Sequence, residues 1–157
     1  MPTPARIAKH PIHPMLIVFP IGLLVFSFIC DIFFLTGGSS NWSTVAYYCM
    51  GGGIVGGLLA AVPGMIDLFS MHRSRAKTIG LWHMCINLAG VVLFVANFYM
   101  RMGAGETTSS AFVLSLVGVL GLLVSGWLGG EMVYVHHVGT TTTQTGEQMQ
   151  GMPHPVA

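Results

Sequence analysis

Charge is nearly absent from this sequence. Lys, Arg, Asp and Glu make up 7% of the 157 residues, against roughly 25% in soluble domains, so the composition is that of a membrane protein. Six Lys and Arg spread along the chain, for a net charge of +1, form no basic patch or stripe, which excludes a nucleic-acid partner. Three cysteines are too few for a disulfide scaffold. There is no phosphate loop, nucleophile elbow, Cys-x-x-Cys pair or Cys-x-x-Cys-His haem attachment, so no enzyme motif stands out. A cleaved signal is also missing. Arg6 and Lys9 are a weak basic region, but the apolar run from Met15 to Thr36 exceeds the ~7–15 residues of a signal core, and no Ala-x-Ala site follows it. The run reads as an uncleaved first span.

What is present is apolar length. A membrane helix needs about 20 mostly apolar residues, and four stretches qualify: 14–36, 44–70, 78–101 and 110–135. The expectation is an all-α integral membrane four-helix bundle with short loops. A polar, Pro-rich leader (1–13) precedes the spanning domain (14–139), and a Thr-, Gln- and Gly-rich tail (140–157) reads as disordered. Pro14 suits a helix start, and Pro20 should kink the first span. Trp42, Tyr47 and Tyr48 fit an interfacial aromatic belt.

Small residues recur on one face of two spans. The second has Gly53, Gly57, Ala60 and Gly64, and the fourth has Ser115, Gly118, Gly121, Ser125 and Gly129. Such faces let backbones approach closely. They close the bundle, join two copies of it, or form a groove for a flat cofactor. The third span carries a polar or small stripe at helical spacing, His83, Asn87, Gly90, Asn97 and Arg101, which should face the bundle interior. Cys30 and Cys49 fall toward the same end, so a disulfide is open there, whereas Cys85 reads as buried and inert.

With four spans, the N-terminal side also holds the loop 71–77 and the tail. It has Arg6, Lys9, Arg73, Arg75 and Lys77, against Arg101 alone on the other side. The positive-inside rule then places both termini in the cytoplasm. The histidines share this bias. His10, His13, His72, His83, His136 and His137 all fall on the N-terminal side with Asp67 and Glu131, and the other side has Asp31 and Glu106 but no histidine. Asp67, His83 and Glu131 each stand four or five residues from a span end, or roughly 6–8 Å deep at ~1.5 Å per residue. His13 and His136 lie one layer above.

Intramembrane ionisable residues are expensive and usually functional. Two chemistries fit this layer. One is haem b held by two imidazoles, drawn from His13, His83 and His136. The other is a transition-metal site (Fe, Zn or Mn) built from His13, Asp67, His83, Glu131 and His136. A proton relay uses the same residue types. The bland alternative has Asp67 paired with Arg73 or Arg75 and His83 on a backbone carbonyl, in a structural or assembly subunit with no cofactor.

Several segments together resemble a known family. They are His-Pro-Ile-His-Pro (10–14) with Val18-Phe19-Pro20-Ile21-Gly22-Leu23, Pro63-Gly64-Met65-Ile66-Asp67, Leu81-Trp82-His83-Met84 with Asn87, and Gly129-Gly130-Glu131-Met132-Val133-Tyr134 with His136 and Gly139. The chain is similar over about residues 10–139 to the bacterial four-span membrane proteins known as domain of unknown function 2231. The residues matching that pattern are His10, His13, Asp67, His83 and His136, with Glu131 in a matched segment. His137 departs from it, since the pattern more often has glycine there. The resemblance implies a bacterial inner-membrane protein. The family's association with iron–sulfur and cytochrome modules implies electron transfer beside a redox or respiratory partner.

Overall fold

The computed structural model describes residues 4–8 and 10–140. Among them are four helices, α1 (Ile12–Leu35), α2 (Ser40–Ser70), α3 (Arg75–Ala104) and α4 (Ser109–Tyr134), each long and apolar enough to cross a membrane. The links 36–39, 71–74 and 105–108 are too short for anything but antiparallel neighbours. Each helix packs on the next, α4 closes back on α1, and α1 and α3 stand on the diagonal. The expected disordered tail lies, but for Thr140, outside the described residues.

α3 and α4 begin three residues and one residue before their apolar spans, because polar residues cap them. Ser74 Oγ accepts from Lys77 N at 3.2 Å and starts α3. Thr108 Oγ1 accepts from Ala111 N at 3.2 Å and starts α4. These caps satisfy orphan donors of the first turn. Gly105, at φ +75°, ends α3 by donating its N–H to Arg101 O at 2.9 Å, a left-handed position that costs glycine nothing. Pro14 falls inside the first turn of α1, where its missing N–H loses no helical bond.

The outer surface is apolar all round. Val18, Phe19, Leu59, Leu123 and Trp127 are among many large exposed apolar side chains, a surface far beyond what a soluble monomer tolerates and suited to lipid. The core is small: Leu24, Met50, Phe94 and Val119, with Phe28, Ile54, Phe98 and Leu122 around them. The glycine faces serve packing within the bundle. A Cβ on Gly53 would stand 2.6 Å from Leu24 Cγ, one on Gly56 3.4 Å from Pro20, and one on Gly118 2.6 Å from Phe94. So α2 receives α1 at Gly53, and α4 receives the Phe94 ring of α3 at Gly118, closer than a Cβ would allow without a shift, whereas Gly56 meets Pro20 at an ordinary contact distance.

At the end away from the N-terminus, α1 and α3 are tied by a buried ion pair. Arg101 Nη1 and Nη2 donate to Asp31 Oδ1 and Oδ2, each at 2.6 Å. Arg101 also donates to Thr107 Oγ1 (2.9 Å), Ser115 Oγ (3.0 Å) and Asn97 Oδ1 (3.0 Å). Thr107 and Ser115 donate to Asp31, and Asn97 Nδ2 donates to Ala111 O and Ser115 Oγ. All five guanidinium N–H groups therefore have acceptors. Nearby, Cys30 and Cys49 are free thiols, so the disulfide left open by the sequence is not formed.

A small antiparallel hairpin, β1 (Arg6–Ile7) and β2 (His10–Pro11), precedes α1, with Arg6 opposite Pro11 and Ile7 opposite His10. The leader is thus folded against the bundle. Ala5 N donates to Asp67 Oδ1 at 2.8 Å, and Ile12 N to Ala5 O at 3.0 Å.

Candidate functional site

Two of the expected histidines meet inside the bundle near its N-terminal end. His13, in the first turn of α1, sends Nδ1 to Ala60 O of α2 at 2.8 Å. Two features of α2 permit this. Gly64 leaves room for the ring, since a Cβ there would stand 2.7 Å from Nδ1. Pro63, three residues beyond Ala60, lacks an N–H and loosens the local ladder. His83, two turns into α3, places Nδ1 2.9 Å from both Ser125 O and Ser125 Oγ of α4. A Cβ on Gly129 would stand 3.3 Å from His83 Cε1. Asn87 Nδ2 braces this side by donating to His83 O at 2.8 Å and to Ser125 Oγ at 2.6 Å.

A carbonyl oxygen only accepts, so each Nδ1 bonded to one carries a hydrogen, and in a neutral ring so anchored it is Nε2 that holds the lone pair. No protein group among the described residues hydrogen-bonds either Nε2. The ring centroids are 6.3 Å apart with planes at 87°. The arrangement is two imidazoles, each anchored through Nδ1, from helices on the diagonal of the bundle.

The other expected ligands are placed differently. Asp67 is buried, and its Oδ1 clamps the leader through Ala5 N rather than pairing with Arg73 or Arg75. Glu131 is half-buried, with no side-chain hydrogen bond or ion pair among the described residues. His136 follows the end of α4, half-buried, with its Nε2 enclosed and without a hydrogen-bond partner. Among the described residues, no group of three or more His, Cys, Asp or Glu is close enough to hold a metal ion. Matching depth on three helices therefore does not become a five-residue cluster, because depth leaves open which way each helix turns its side chains.

The solvated histidines also have explanations. His10 Nδ1 contacts Ala8 O at 2.9 Å, and both His10 and His72 are exposed. His137 has φ +52°, a left-handed conformation that favours glycine. That is the position where the resembling family more often has glycine. Sequence reasoning missed two things: Asp31 and Arg101 as partners, and the folded leader with Ala5 on Asp67. The polar stripe of α3 was the available signal for the first. It ran from His83 to Arg101 and marked the inward face.

A family model described as predicted membrane protein (DUF2231) matches residues 9–142. No curated protein and no solved structure matches the chain.

Proposed function

The chain belongs to the DUF2231 family of predicted membrane proteins, and from that premise we propose that His13 and His83 form a two-imidazole transition-metal site in a subunit supporting electron transfer. The anchoring of both rings carries the reading. Each Nδ1 is held by a backbone carbonyl while each Nε2 is left for a ligand, the way metal-binding histidines are oriented. Spacing supports it too. With nitrogens ~2.0–2.1 Å from a shared ion, rings on opposite sides of it have centres about 6.4 Å apart and rings at a tetrahedral angle about 5 Å apart, so the 6.3 Å seen here fits an opposed pair. Solvent or a partner subunit would fill the other coordination positions. Iron or manganese would carry an electron, and zinc would only tie the helices together.

Haem b needs the same two imidazoles, but the fit favours a bare ion. Gly64 and Gly129 bring the backbones of α2 and α4 directly onto the rings, so a porphyrin would have to part the helices. A proton conduit is less well supported, because the carbonyl on each Nδ1 cannot take a proton and every transfer would need a ring flip. Orientation follows from charge. Arg101 is neutralised by Asp31, and the basic residues Arg73, Arg75 and Lys77 stand at the N-terminal end, which supports reading that end, with both termini, as the cytoplasmic side of a bacterial inner membrane.

Elemental analysis of the full-length, detergent-purified protein, with absorption spectra before and after reduction, tests the proposal. Cells supplied with iron, manganese and zinc should yield about one ion per chain, lost in His13→Ala/His83→Ala and kept in His136→Gln. A Soret band would replace the bare ion by haem. Neither metal nor pigment would sink the proposal and leave a cofactor-free structural or assembly subunit.

A further inference from the structure

We infer that the N-terminal face of the bundle binds a phosphate-type oxyanion through Arg6 and His136. Three side-chain nitrogens are buried there with no hydrogen-bond partner among the described residues: Arg6 Nε, Arg6 Nη2 and His136 Nε2. A guanidinium stays charged at any ordinary pH, and its buried N–H groups are costly when unpaired. Arg101, by contrast, has all five donors satisfied.

Two contacts put Arg6 on the side of the hairpin that faces the turn carrying His136. Arg6 stands directly opposite Pro11 in the hairpin, and directly opposed residues project from the same face of a ribbon. Pro11 Cγ in turn lies 3.7 Å from where a Cβ on Gly139 would be, three residues after His136. The Arg6 side chain thus leaves the hairpin on the face that Pro11 lays against the turn after α4. Glu131, the nearest carboxylate in sequence to that turn, does not pair with Arg6, since the ion pair found among the described residues is Arg101 with Asp31.

The unpaired edge of Arg6 is Nε with one Nη, a parallel fork of two donors. Phosphate oxygens match that fork bidentately, and His136 Nε2, in the tautomer that carries its hydrogen, adds a third donor. The group would come from an anionic phospholipid headgroup beside the hairpin or from a free phosphate compound. None of these atoms belongs to the His13–His83 pair, so the inference does not depend on the metal reading.

Native mass spectrometry of the full-length protein in detergent, titrated with phosphatidylglycerol and separately with inorganic phosphate, is the test. Wild type should retain phosphatidylglycerol, with a loss of about tenfold or more in apparent affinity for Arg6→Gln and a smaller loss for His136→Gln. Inorganic phosphate that binds with the same Arg6 dependence and displaces the lipid would support the same chemistry with a soluble source. Undiminished binding of both probes by Arg6→Gln overturns the inference. Arg6→Lys guards against misfolding, because it keeps the charge without the fork and should still lose several-fold affinity. A folded Arg6→Lys that binds like wild type, or a wild type that binds neither probe, also overturns it.

Discussion

At the end of the bundle formed by the 105–108 link, Arg101 and Asp31 meet with all five guanidinium donors used. At the N-terminal end, His13 and His83 each use one ring nitrogen and leave the other, while Arg6 and His136 have buried nitrogens with no hydrogen-bond partner among the described residues. Both ends put ionisable groups where lipid makes them costly. The first resolves that cost entirely within the chain, as a structural clamp does. The second does not, and that difference is what both proposals rest on.

The sharpest way to break this comparison is at the clamp. Arg101→Met leaves Asp31 buried and unpaired, and should cost about 3–5 kcal/mol, whereas adding Asp31→Leu should recover much of that loss. Thermal unfolding in detergent reads both, and a neutral single variant would refute the clamp. Next is Gly64→Ala. Its new Cβ would fall 2.7 Å from His13 Nδ1, so overpacking should cost about 1–3 kcal/mol and metal affinity should drop about 10–100-fold as the ring loses Ala60 O. Equilibrium unfolding and metal titration separate the two effects. Asp67→Ala removes the acceptor of Ala5 N and should cost about 1 kcal/mol, seen as faster proteolysis of the leader with metal content unchanged. The smallest effect belongs to His137→Gly, which relieves a left-handed residue. It should stabilise by no more than about 1 kcal/mol, and a destabilised variant would mean the imidazole has a role of its own.

Much of this architecture could be read from residue order, because a helix converts spacing into facing. The four apolar runs became α1 to α4, and the stripe from His83 through Asn97 to Arg101 became the inner face of α3. The capping residues Ser74 and Thr108 were legible too, but a reading based on apolar length stops at the lipid boundary and passes over them. Pairings across the bundle were not legible. Asp31 and Arg101 are 70 residues apart on helices that are not neighbours, and their meeting depends on the register of both. The same limit applies to the histidine layer. Depth grouped His83 with Asp67 and Glu131 and set His13 one layer above, yet it is His13 that meets His83, while Asp67 holds the leader and Glu131 joins no such group among the described residues.

The clamp also constrains how the protein is made. Asp31 emerges from the ribosome 70 residues before Arg101. A lone acidic residue in a span raises the cost of insertion by up to about 2.5–3.5 kcal/mol, depending on depth. The first helix therefore enters the bilayer with a carboxylate that has no counter-charge, and gains one only when the third helix arrives. Release of the helices into lipid one at a time would strand that carboxylate, so the insertion machinery has reason to hold the first pair until the third can join them.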